Sequence, residues 1–138
     1  MRGHWLWKGR VSKLFEYALL RVVPRVERGE FINAGVVLHC PDANFLDAHV
    51  HLDLERLGAL DPGLAHAPVF AHLEAARLIC AGGRGAGPIG LLPRSQRFGW
   101  LVAPRSTIVQ PSPVHTGLAD DPEEALERLL RTMVYRPG

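Results

Sequence analysis

Three β-rich runs follow one another within the first 52 residues: YALLRVV (17–23), FINAGVVLHC (31–40) and NFLDAHVHL (44–52). Their connections, PRVERGE (24–30) and Pro41-Asp42-Ala43, are rich in turn residues, so the runs read as an antiparallel meander. Successive side chains on a strand point to opposite faces. Alternation therefore places Ala18, Leu20 and Val22 on one face with Ile32, Ala34, Val36 and Leu38, and with Leu46, Ala48, Val50 and Leu52. The opposite face collects Arg21, Asn33, Gly35, His39, Asp47, His49 and His51 beside Tyr17, Leu19 and Val37.

One apolar face needs cover, and the following segments supply it. DLERLGAL (53–60) and VFAHLEAARLICA (69–81) have helical spacing, the second stopped by Gly82-Gly83. RSQRFGWLVA (94–103) reads as a further short helix, and STIVQ (106–110) as a fourth strand. The last helix has Asp121 as N-cap, Pro122 at its first position and Glu123-Glu124 against the positive end of the dipole. Its apolar stripe is Leu126, Leu129, Leu130 and Met133. The expected fold is a single α+β domain over residues 15–138, an antiparallel sheet of about four strands with helices packed on one face, behind a basic arm, 1–14.

The totals exclude several classes. A chain of 138 residues with 47% hydrophobic and 22% charged residues suits one globular domain. Cys40 and Cys80 are too few for a disulfide scaffold and form no metal knuckle, which fits a reducing, cytoplasmic setting. No apolar run approaches the roughly 20 residues of a membrane span. The net charge is +2, but residues 1–13 carry +4 and no acids, so the remainder sums to −2. Nucleic-acid binding is therefore confined to that arm, where Trp5 and Trp7 accompany the bases. GGRGAGPIG (82–90) lacks the lysine of a phosphate loop and reads as a flexible connection.

Three groups of residues carry candidate chemistry. In ERGEFIN (27–33), Arg28 and nearby Arg25 suit an anionic group, with Asn33 alongside, whereas Glu30 pairing with Arg21 or Arg28 would make the loop purely structural. His49 and His51 lie two apart on a strand, with His39 opposite and Asp47 adjacent, so they are weak candidates for a metal site. The segment APRSTIVQPSPVHTG (103–117) sets Arg105, Ser106, Thr107, Gln110, Ser112, His115 and Thr116 around three prolines. Ser106 or Ser112 with His115 and Asp120 or Asp121 supplies the residue types of a nucleophilic triad, but without a G-x-S-x-G elbow. Pro111 and Pro113 instead predict an extended, preorganised strip at a sheet edge, suited to docking a partner or gripping a phosphate.

Long stretches of the chain resemble a known family. YALLRVVPRVERGEFINAGVVLHC, DLERLGALDP and RFGWLVAPRSTIVQPSPVHTGLADDPEEALERLL are similar to the bacterial family catalogued as domain of unknown function 3037, over roughly residues 15 to 134. The resemblance implies a small cytoplasmic protein often encoded beside a HipA-like kinase, hence an accessory role; it carries over no catalytic residue and no cofactor. The leading expectation is a non-enzymatic module binding a protein partner such as a HipA-like kinase, through the mixed sheet face and residues 105–116. The alternative is a phosphate- or nucleotide-binding protein or enzyme using Arg25, Arg28, Arg105 and His115. Homo-oligomerisation is left open.

Overall fold

The computed structural model describes residues 12–137. Among them lie five strands, β1 (Lys13–Val22), β2 (Ile32–Cys40), β3 (Phe45–Val50), β4 (Val109–Pro111) and β5 (His115–Ala119). Four α-helices accompany them: α1 (Leu54–Leu60), α2 (His66–Ala81), α3 (Arg94–Val102) and α4 (Pro122–Met133). The α+β class and the antiparallel sheet are as expected. No helix among the described residues is long and apolar enough to cross a membrane. Residues 1–11, most of the basic arm, lie outside the described residues, whereas Lys13 and Leu14 already belong to β1.

Strand β1 is central. It pairs with β2 on one side, from Glu16↔His39 to Val22↔Ile32, and β3 continues beyond β2. On its other side β4 and β5 lie end to end, with Leu20↔Pro111 and Tyr17↔His115 marking the junction. Two residues of β1 face three of the opposing chain there, which is the extra residue of a bulge. Strand β5 was not expected, because HTGLA has little apolar content and no alternation. Its Gly117 sits opposite Phe15, whose ring occupies the space a side chain would need: a Cβ at 117 would lie 2.5 Å from Phe15 Cζ.

A second bulge changes the reading of the faces. Leu20 pairs with Gly35 but Arg21 with Asn33, leaving Ala34 extra in β2. Side chains beyond it change face. Ile32, Ala34 and Val37 join Ala18, Leu20, Val22, Leu46 and Ala48 in one core, with Leu57, Val69, Leu73, Phe98 and Leu101 from α1, α2 and α3. Val36 and Leu38, expected on that same face, instead join Phe15 and Cys40 in a second core under α4. Ala125, Leu126, Leu129 and Leu130 close it.

The helices are thus divided, with α1 to α3 on one face and α4 on the other, rather than gathered on one. The reason is volume and polarity. Val36, Leu38 and Cys40 put a dense apolar patch on the face assigned to recognition, and each fully buried side chain of the Val or Leu kind is worth about 1.5–3 kcal/mol. Side-chain caps hold two of the helices: Asp53 accepts from the Arg56 amide at 3.1 Å, and Asp121, the expected cap, from the Glu123 amide at 3.0 Å.

The glycine-rich connection is an ordered double turn. The Gly83 amide donates to the Gly90 carbonyl at 2.8 Å, and Gly90 is buried with no room for a Cβ. Beside it, Arg97 is buried in α3. Its Nη1 donates to the Ile79 and Cys80 carbonyls at 2.9 and 2.7 Å, and its Nε to the Leu92 carbonyl at 2.9 Å. A cation at the carbonyl end of α2 answers both its unpaired acceptors and its dipole.

Candidate functional site

The strip 103–117 is an edge of the sheet. Ser112 is only 3% exposed. Its amide donates to the Leu19 carbonyl at 2.8 Å, and its hydroxyl accepts from the Leu19 amide at 2.8 Å while donating to the Pro113 carbonyl at 2.9 Å. The side chain thereby replaces a ladder acceptor at the bulge between two prolines. A hydroxyl so engaged is a stitch in the sheet. His115 is exposed on β5, its ring 5.4 Å from that of Tyr17.

Upstream, the same strip forms one wall of a cleft with α2 and α3. Leu20, Ile79, Leu101 and Val109 line its floor, and His72, Trp100, Arg105 and Gln110 its rim. The cleft holds about 80 Å³. Arg105 is the cationic residue of its lining. Its guanidinium carbon lies 4.5 Å from the Trp100 ring centroid, its Nε donates to the Ala103 carbonyl at 3.2 Å, and Nη2 contacts the Trp100 carbonyl. Partial burial lowers its pKa from the ordinary guanidinium range; the group nevertheless stays cationic at neutral pH. Contact with the indole face and bonds to the end of α3 fix the fork while keeping a positive charge in the cleft lining.

The remaining expected site residues take separate places. Arg25 lies 3.6 Å from Asp61, and Arg28 makes a two-pronged pair with Glu30 at 2.7 and 3.2 Å. That pairing raises the Arg28 pKa and lowers that of Glu30. Asn33 Nδ2 donates to the Met133 carbonyl at 3.0 Å, tying β2 to the end of α4. Its cross-strand neighbour Arg21 rests 4.2 Å over Phe31. Thr107 bonds the Val109 carbonyl at 2.8 Å, and Gln110 the Thr107 carbonyl at 2.9 Å, so both brace the entry to β4. Ser106 is exposed, and Thr116 borders a shallow recess with Leu14, Glu16 and Asp42. The cleft that takes Arg105 contains none of Arg25, Arg28 or His115.

The three candidate metal histidines are separated, because the β2 bulge reverses His39. That ring is buried on the α3 side, 5.3 Å from Phe98, with Glu16 3.7 Å from its Nδ1. The His51 ring lies 4.4 Å from that of Tyr135, tilted by 51°. His49 faces α4, where its Nε2 lies 3.6 Å from Asp47 and 3.3 Å from Glu123. Glu123 entered the sequence reading only as a helix-dipole residue. Trp100 and His72 went unremarked there because nothing in a sequence reports which helix faces meet at an edge strand.

A sheet layered between helices, with a preorganised edge strip walling a cleft of side-chain size, defines a small α+β domain. The chain belongs to the family described as protein of unknown function, DUF3037, whose model matches residues 17–134. No curated protein and no solved structure matches the chain.

Proposed function

We propose that this protein is a non-enzymatic interaction module that docks a segment of a partner protein in the cleft between α2, α3 and β4. The occupant is an apolar side chain followed by a carboxylate. The carrying observation is that the Arg105 guanidinium, held against Trp100, lines this apolar cleft. Its capacity of about 80 Å³ is well below the roughly 300–1,000 Å³ of small-molecule pockets. It suits one branched aliphatic group. A guanidinium held by stacking loses little entropy on meeting a carboxylate, which favours a charge-assisted bond there. Tryptophan and arginine, both in this lining, are among the residues enriched at interface hot spots.

A HipA-like kinase, the partner implied by the family resemblance, is the first to test. Binding of a HipA-like kinase is measured by calorimetry with the native chain, Arg105→Glu, and Ala75→Trp, which fills the cleft. Each substitution is expected to weaken binding at least tenfold, about 1.4 kcal/mol. Undiminished affinity in both variants would remove the cleft from the interface. The phosphate-binding alternative predicts instead that Arg28→Ala lowers affinity for a phosphate ligand. Arg28 is engaged by Glu30, so an anion there must displace a carboxylate.

A further inference from the structure

Asp47 and His49 leave β3 on the same face, two residues apart, and meet Glu123 in the first turn of α4. One potential ligand atom from each lies within 4.8 Å of the other two. His49 Nε2 stands 3.6 Å from Asp47 Oδ2 and 3.3 Å from Glu123 Oε1. Donors bound tetrahedrally to zinc at about 2.0–2.2 Å sit roughly 3.3–3.6 Å apart. Two edges of the triangle already have that length. The other Asp47 oxygen accepts from the Ala48 amide at 2.8 Å, which orients the carboxylate. Leu126 and Leu130 anchor α4 to the sheet below, so the two elements bearing the donors are fixed relative to one another.

We propose that Asp47, His49 and Glu123 bind a divalent transition-metal ion of the zinc class, clasping β3 to the start of α4. The imidazole nitrogen favours such an ion over calcium or magnesium, whose ligands are oxygen, while the two carboxylates supply charge. Two carboxylates and a neutral imidazole carry a charge of −2, which a divalent cation neutralises. Three protein donors leave a fourth position to water, the composition of an open zinc site. The site lies on the α4 face, away from the cleft of α2 and α3, and stands independently of the docking reading.

The test is titration of the full-length protein with zinc chloride by calorimetry, with cobalt(II) as a spectroscopic substitute. One saturable equivalent is expected, with the visible bands of four-coordinate cobalt. His49→Ala and Glu123→Gln should each weaken binding by more than the roughly 10–100-fold that loss of an outer-shell partner costs. His66→Ala should leave it unchanged. Absence of a saturable equivalent in the native protein overturns the proposal directly, whatever the folding of the variants. Binding that survives both ligand substitutions overturns it equally.

Discussion

The guanidinium of Arg97 fills the space in front of Gly82: a Cβ on that glycine would lie 2.7 Å from Nη1 and 3.0 Å from Cζ. Gly82 also has φ +79°, a conformation that disfavours any side chain. Arginine and glycine together form the end of α2. Gly82→Ala therefore meets both steric crowding and backbone strain. Arg97→Met leaves the Ile79, Cys80 and Leu92 carbonyls without their donor. Since bonds from a charged donor are worth about 1.5–3 kcal/mol each, a loss of roughly 3 kcal/mol is expected for Arg97→Met. Urea unfolding should show a lower midpoint at unchanged slope.

Ser112→Ala is expected to strand the Leu19 amide, which has no other acceptor at the bulge. An unsatisfied buried donor costs about 1–3 kcal/mol. Hydrogen exchange should locate the effect, with the Leu19 amide losing protection while amides in the α4 core retain theirs. Uniform loss of protection would show that the hydroxyl acts on the whole fold and not on the edge.

Asp53 is bound by Arg136, whose Nη2 donates to it at 3.0 Å, while Nη1 reaches Glu55 at 3.0 Å. That hydrogen bond, then the Arg56 amide, outweigh desolvation and hold the Asp53 pKa at about 2, below its ordinary 3.8. A carboxyl depressed on folding contributes stability above its unfolded pKa and loses it as pH falls toward the folded one. The contribution should fade between about pH 4 and pH 2. In Arg136→Ala, the Asp53 carboxyl titration followed by NMR should return toward 3.8, and acid unfolding should begin at higher pH.

Cys80 is 4% exposed, and burial, with the nearby Asp47 charge, pushes its thiol up to about 12. The thiolate is the reactive species. Native protein at pH 8 should resist thiol reagents at Cys80, and labelling should become fast only in denaturant. Rapid labelling of the native state would contradict the packing of α2 on the sheet.

Much of this structure was legible because local chemistry dictated it. Asp121-Pro122 began α4 as expected, and alternation put Ala18, Leu20 and Val22 correctly on one face. The errors trace to single residues. Ala34 is an extra residue in β2, and no periodicity announces a bulge, so Val36, Leu38 and His39 were assigned to the wrong faces. With Val36 and Leu38 misplaced, the apolar patch beneath α4 was invisible, and the polar face looked open. The two prolines correctly marked 111–113 as an interruption at an edge. That the edge resumes as β5 depends on Phe15 covering Gly117, a long-range pairing beyond local inspection. His49 was considered with other histidines because they lie close in the chain, whereas its neighbour Glu123 is 74 positions away.

Strand β1 takes one neighbour from the residues that follow it and its other two from 109–119. On the ribosome, the interval from Val22 to Val109 must be made before that second edge can close, which at about 5–20 residues per second takes roughly 4–17 seconds. Throughout that time β1 keeps one open edge, and five of its ten residues are aliphatic. Slow final closure, set by distant pairing, is the biosynthetic cost of placing this strand in the middle.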